Sequence, residues 1–207
     1  MEWYFDFISP YAYLQFKQLG TLGLLPGATL TPILFAGVLN RWGQLGPAEI
    51  APKRLFTYRQ VSWLARSRNI PFKMAAAHPF NPLKLLRLAV HLQADPAVVG
   101  RLFDFVWRDG FIPDNPSAWA GLLRELGISN PGEGVDEPAV KALLKSNTDR
   151  AIAAGVFGVP TISIGGRLFW GQDSTDMALD FMRDPKLFEA DDQVIAALPA
   201  PNPRRRR

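Results

Sequence analysis

The chain has 207 residues, 48% of them hydrophobic and 12% aromatic, which is enough to bury an ordinary globular core. Its net charge of +4 belongs to the end of the chain: Arg204 to Arg207 supply four of the 23 Lys and Arg residues, leaving 19 basic against 19 acidic ones. A nucleic-acid partner would need a basic stripe on the folded body, and the sequence has none.

With no cysteine, disulfides, thiolate metal ligands and cysteine redox chemistry are all excluded. Two histidines, His78 and His91, leave no basis for a His-rich site, so no metal is expected. The N-terminal residues include Glu2 and Asp6 where an export signal needs positive charge, and no apolar run reaches membrane-spanning length. A cytoplasmic location with no membrane partner is the expectation.

The aromatic and β-branched run Trp3 to Ile8 predicts a short buried strand. Ser9-Pro10 then predicts a helix start, with Ser as N-cap and Pro at the first helical position, running to about Leu19 before Gly20. A second strand is predicted from Thr29 to Phe35, with Pro32 favouring an edge or terminal position. Helices follow over 52–68, 82–93, 96–108, 116–126 and 137–154, the last with a break near Asn147. The stretch Gly158-Val159-Pro160-Thr161 leads into a hairpin, Ile162 to Ile164 and Arg167 to Trp170, turning at Gly165-Gly166. A final helix is predicted over 174–182. The order is βαβ, a helical block, then ββα.

Most of the polar candidates have a plain structural reading. Ser9-Pro10 alone is a helix cap, and Gln172-Asp173-Ser174 reads as loop and cap. Lys53 and Arg54 read as solvated charge, although cations opening a helix oppose its dipole unless an anion sits there. His78, which precedes a proline, reads as a surface residue and His91, inside a helix, as structural. Trp42, Trp63, Trp107 and Trp119 read as core or interface residues.

Taken together the motifs say more. Asp6-Phe7-Ile8-Ser9-Pro10-Tyr11-Ala12-Tyr13-Leu14 resembles the active-site segment of the bacterial disulfide-forming oxidoreductases, with Ser9 in place of the first cysteine of their Cys-Pro-x-Cys motif. Gly158-Val159-Pro160-Thr161 resembles their cis-proline loop. Adding Phe169-Trp170-Gly171-Gln172-Asp173, Phe35 to Asn40, Pro52-Lys53-Arg54 and His78 to Pro82, the chain is similar to the family of kappa-class glutathione transferases and 2-hydroxychromene-2-carboxylate isomerases.

The resemblance implies an α/β thioredoxin fold with a large all-helical insertion: 1–35 and 156–198 as the thioredoxin-like domain and 36–155 as the insertion; the Pro- and Arg-rich composition of 199–207 predicts a disordered basic tail. The resemblance also implies glutathione as cofactor, a small aromatic carboxylic acid as substrate, and a homodimer. Ser9 would be the catalytic group, donating to the glutathione sulfur at a helix N-terminus that favours a thiolate. Val159 and Pro160 would receive the cysteinyl part through the main chain of a cis-proline loop. Trp170, Gly171, Gln172, Asp173 and Ser174 would receive the γ-glutamyl end, with Asp173 facing its ammonium group. Lys53 and Arg54 would face a carboxylate, and Asn40 and Asn81 would bond the substrate. Gln172 departs from the isomerases, which have Asn there. Three activities stay open: the isomerisation of 2-hydroxychromene-2-carboxylate in aromatic degradation, a transferase releasing conjugates, and a non-catalytic binding module.

Overall fold

The computed structural model describes residues 1–130, 132 and 134–199. Strand β1 (Glu2–Phe5) lies between β2 (Thr29–Pro32), with which it runs parallel, and β3 (Thr161–Ile164), which is antiparallel to it; β4 (Arg167–Trp170) completes a sheet of order β2-β1-β3-β4. The edge position expected from Pro32 is the one observed. Helix α1 (Pro10–Thr21) follows β1, and the helices α2 (Phe35–Trp42), α3 (Ala51–Ser67), α4 (Leu83–His91), α5 (Pro96–Trp107), α6 (Pro116–Glu125) and α7 (Pro138–Ala153) lie between β2 and β3. The chain closes with α8 (Thr175–Arg183) and α9 (Glu189–Ala196). This is the thioredoxin fold with its helical insertion. No helix among the described residues is long and apolar enough to cross a membrane.

Alternation along the strands divides the interior. Trp3, Phe5, Ile162 and Phe169 point into the main core with α1, α4, α5 and α8, while Tyr4, Ile33, Val156 and Val159 join Val38 of α2 and Ala151 of α7 on the other face. The main core is aromatic at its centre. The ring of Phe103 lies 4.7 Å from that of Phe7, 5.6 Å from those of Phe5 and Phe16, 6.1 Å from Trp3 and 6.2 Å from Tyr13.

Four differences from the sequence reading have identifiable causes. The first strand ends at Phe5 instead of Ile8 because the Asp6 carboxylate accepts the Ile8 N–H at 3.0 Å and the Asp6 carbonyl accepts the Ser9 N–H at 3.1 Å, turning the chain. The second strand ends at Pro32 because Phe35 already opens α2, a helix without a side-chain cap and therefore without a start signal. Helix α7 is continuous through Asn147. That buried amide donates to the Pro32 carbonyl at 3.4 Å and accepts from Arg150 at 2.9 Å, so it does not compete for its own helix backbone. Helix α9 was not anticipated, although Glu189, Asp191 and Asp192 crowd its first turn, where acids suit the dipole. It docks through an Arg167–Asp192 ion pair, and the Arg167 guanidinium also lies over Phe181 and Phe188. Apart from Pro199, the predicted tail lies outside the described residues.

Since Phe103 is fully buried against five other aromatic rings, Phe103→Ala is expected to cost about 3–5 kcal/mol of stability, read from urea denaturation. A loss below about 1 kcal/mol would mean that the aromatic cluster repacks around the deletion.

Candidate active site

The C-terminal end of β1 lies between the C-terminal end of β2 and the start of β3. Ser9 is the N-cap of α1, and its Oγ accepts the Ala12 N–H at 3.2 Å. The hydroxyl hydrogen has no acceptor among the described residues, and the side chain is nearly buried. Pro10 at the first position of the helix has no N–H, and the Ala12 and Tyr13 N–H groups are bonded to Ser9, so among the described residues the Tyr11 N–H is the donor of this first turn left without an acceptor.

The peptide before Ser9 is held from several sides. Asp6 has no exposure to solvent; its Oδ1 accepts from Ile8 N and its Oδ2 from Phe35 N at 2.9 Å. Burial pushes its pKa up to about 7, against the pull of those two backbone donors. On the carbonyl side, the indole of Trp107 donates to the Phe7 oxygen at 2.9 Å, and His78 Nε2 lies 2.8 Å from the Ile8 oxygen. His78 is therefore not a surface residue. Burial lowers its pKa, and its Nδ1 lies 2.9 Å from the hydroxyl of Tyr58 on α3.

Val159-Pro160 is a cis bond, as expected, and it lies beside the end of β1, one residue before the Tyr4–Thr161 pair. Among the described residues neither the N–H nor the C=O of Val159 has a hydrogen-bond partner. The Pro160 carbonyl accepts the Gly171 N–H at 2.9 Å, tying this loop to the next.

That second loop is braced from within. Gln15, buried on α1, accepts from the Trp3 indole at 2.7 Å and donates to the Gly171 carbonyl at 3.1 Å and the Thr175 hydroxyl at 2.9 Å. Gly171 has a φ of 92°, a region that side-chain-bearing residues avoid, and a Cβ there would meet Asp173 Oδ1 at 2.4 Å. Asp173 itself is exposed and has no hydrogen-bond or ion-pair partner among the described residues. Its charge reaches α1: after burial, and against the nearby Thr57 hydroxyl, it helps to hold the Tyr11 pKa above its usual value.

Other predicted residues are partly committed elsewhere. The Gln172 amide oxygen accepts from Arg68 at 2.6 Å, and the Ser174 hydroxyl donates to the Gly171 carbonyl at 2.8 Å. Asn81 Oδ1 accepts the Leu83 N–H at 3.0 Å in the turn that enters α4. Asn40 on α2 is exposed, as are Lys53 and Arg54 in the first turn of α3, where Arg54 is close enough for its charge to act on Tyr58. Trp170 is half exposed, with its ring 5.1 Å from that of Phe157. Two surface cavities, of about 310 Å³ beside Arg66 and Phe72 and about 420 Å³ beside Lys84 and Trp119, do not border Ser9.

A model of the DsbA-like thioredoxin domain matches residues 1–183. The chain belongs to this family, in the branch of the 2-hydroxychromene-2-carboxylate isomerases and kappa-class glutathione transferases. It is 30% identical to the 2-hydroxychromene-2-carboxylate isomerase of Pseudomonas putida over 188 residues, covering 84% of this chain and 89% of the relative. A solved 2-hydroxychromene-2-carboxylate isomerase superposes with a TM-score of 0.78 at 28% identity, over 92% of this chain and 97% of the other. The glutathione S-transferase kappa 2 of Caenorhabditis elegans is 27% identical over 208 residues, 89% of this chain and 92% of that one. Within this family frame, Gln15, Tyr58, His78 and Trp107 are the supporting residues that sequence reasoning did not assign. Gln15 carried a signal, being an amide between the apolar Leu14 and Phe16; His78 lay in a family-like segment, but its role had no local signal because its partner lies 70 residues away.

Asp6 supplies a pH test. Its folded-state pKa is raised above the unfolded value of about 3.9, so its contribution to stability is fully present below about pH 4 and is lost as pH rises through about 7. Urea denaturation is expected to show wild-type protein losing stability relative to Asp6→Asn across that window, and running parallel to it above about pH 8. A difference that stays constant over the whole range would mean that Asp6 titrates as an exposed carboxyl does.

Proposed function

We propose that the chain catalyses the glutathione-dependent interconversion of 2-hydroxychromene-2-carboxylate and trans-o-hydroxybenzylidenepyruvate, in the cytoplasm, as a step of aromatic degradation. The observation that carries this reading is Ser9: a hydroxyl at a helix N-terminus whose oxygen is used by the helix and whose hydrogen is left unused. The near full-length similarity to named isomerases gives the reading its substrate.

The free groups fit glutathione. Val159 offers an unpaired N–H and C=O suited to an extended peptide, and Asp173 offers an unpaired carboxylate suited to an ammonium group. When bound, glutathione would supply a thiolate able to add reversibly to the conjugated double bond formed once the hemiketal ring C–O bond of the substrate opens, so that rotation and loss of the same thiolate would give the trans isomer with glutathione recovered. Ser9 donates its free hydrogen to the sulfur and, with the α1 N-terminus, favours the ionised form. Lys53 and Arg54 hold the substrate carboxylate near this point, and Asn40 and the remaining amide hydrogens of Asn81 supply further donors. Gly171 lets Asp173 lie against the main chain, and Gln172, drawn to Arg68, turns its amide nitrogen away from that guanidinium. Most of the rate gain comes from a pre-ionised sulfur and a fixed substrate.

A transferase that releases its conjugate uses the same groups, and the similarity to a kappa transferase favours it as the second reading. The test follows substrate absorbance with and without glutathione, with product analysis. Glutathione-dependent interconversion without net glutathione consumption is expected, and Ser9→Ala should lower kcat/KM by about a hundredfold. Accumulation of a glutathione conjugate would instead establish the transferase. Asp173→Asn is expected to weaken glutathione binding about tenfold by calorimetry; an unchanged affinity would remove Asp173 from the cofactor site.

A further inference from the structure

His78 comes from the segment between α3 and α4, yet its ring reaches the peptide immediately before Ser9. A carbonyl oxygen can only accept, so the 2.8 Å contact with Ile8 requires a proton on Nε2. The other nitrogen faces the Tyr58 hydroxyl at 2.9 Å, and the same hydroxyl lies 3.0 Å from the His78 carbonyl. A proton on Nε2 leaves Nδ1 of the neutral ring as an acceptor, so the single hydroxyl hydrogen of Tyr58 is shared between Nδ1 and the His78 carbonyl. The ring is also wedged edge-on, 5.5 Å from the rings of Tyr58 and Trp107, and Trp107 in turn holds the Phe7 carbonyl. Two successive carbonyls before Ser9 are thus held by donors from the helical insertion, while the Ile8 N–H is held by Asp6.

We propose that His78 is a positioning residue: as its Nε2–H tautomer, locked by Tyr58, it holds the Ile8 carbonyl and so sets where Ser9 meets the glutathione sulfur. The proposal deepens the isomerase reading and rests on it for the role of Ser9. It also gives the insertion a task in catalysis. Arg54, proposed to receive a substrate carboxylate, lies one turn before Tyr58 on α3, so Tyr58 and His78 connect the helix that carries it to the Ile8 carbonyl and Ser9. Catalysis by orientation depends on such connections.

The test has two parts. In the protein without glutathione, nitrogen NMR should find His78 neutral and protonated on Nε2, and His78→Leu should speed amide exchange at Ser9 about tenfold. An Nδ1–H tautomer, or unchanged exchange, would overturn the proposal whatever the protein's activity. With glutathione, His78→Leu should lower the ultraviolet thiolate absorbance of the bound cofactor and reduce kcat about tenfold, with a smaller change in KM. His78→Gln, whose amide N–H reaches about as far as Nε2, should restore most of both, and Tyr58→Phe should show a weaker version of the loss. A merely structural role predicts equal losses in the Leu and Gln variants, scaling with their melting temperatures, and that result would also overturn it. If wild-type protein neither binds glutathione nor turns over, the isomerase reading falls, while the tautomer and exchange measurements still decide the role of His78. Should His78→Leu fail to fold, Tyr58→Phe and His78→Gln carry the same comparison.

Discussion

A carboxylate sealed from water at the end of β1 sets the geometry around Ser9. Asp6 has two oxygens and no route to solvent, so its place in the fold depends on finding donors, and it finds them in the main-chain N–H groups of Ile8 and Phe35. One bond ends the strand and starts the turn into α1. The other ties that turn to the start of α2, which comes from the far side of β2. A carboxyl in this position is costly to ionise, yet both bonds favour the ionised form, and the balance of the two brings its pKa close to neutrality.

The same logic extends outward from that turn. Where a loop must hold a shape that no regular ladder supports, buried donors from remote elements take over the hydrogen bonding. Trp107 and His78 serve the Phe7 and Ile8 carbonyls, and Gln15 serves the Gly171 carbonyl. Each is wedged in the aromatic core or against it: Trp107 stacks on Phe72, and Gln15 takes the indole hydrogen of Trp3. The rigidity of the core is thereby passed to loops that carry unpaired groups. Among the described residues Ser9 and Val159 are left with hydrogen-bonding capacity that no protein group uses although both are buried, which is uncommon in folded chains, while the unpaired carboxylate of Asp173 faces solvent.

The helical insertion takes part in this arrangement and does not merely flank it. Besides Trp107 and His78, the Tyr13 hydroxyl of α1 donates to the Pro71 carbonyl, so α1 and the insertion hold each other from both sides. The sheet's other face is covered by α2 and α7, whose Thr148 hydroxyl accepts the Leu34 N–H at 3.0 Å just before α2 begins. The chain entering α2, like the turn entering α1, is set by polar contacts from distant segments.

What the sequence determined by itself is local and periodic: the strand order, most of the helices, the Ser9-Pro10 cap, the hairpin turning at Gly165-Gly166 and the edge or terminal placement of Pro32. These depend on residues a few positions apart, whose backbone preferences act before any tertiary contact forms. The motifs around Ser9, Val159 and Asp173, and with them the cis-proline loop, were legible through the family resemblance, which rests on short contiguous segments. Tertiary structure alone decided where β1 and β2 stop, that α7 continues through Asn147 and that Gln172 is drawn to Arg68. It alone brought His78 to the Ile8 carbonyl. In each case the deciding partner lies far away in the chain or in the shape of a loop, and a buried polar group reveals its role only when the group that satisfies it has been brought into reach.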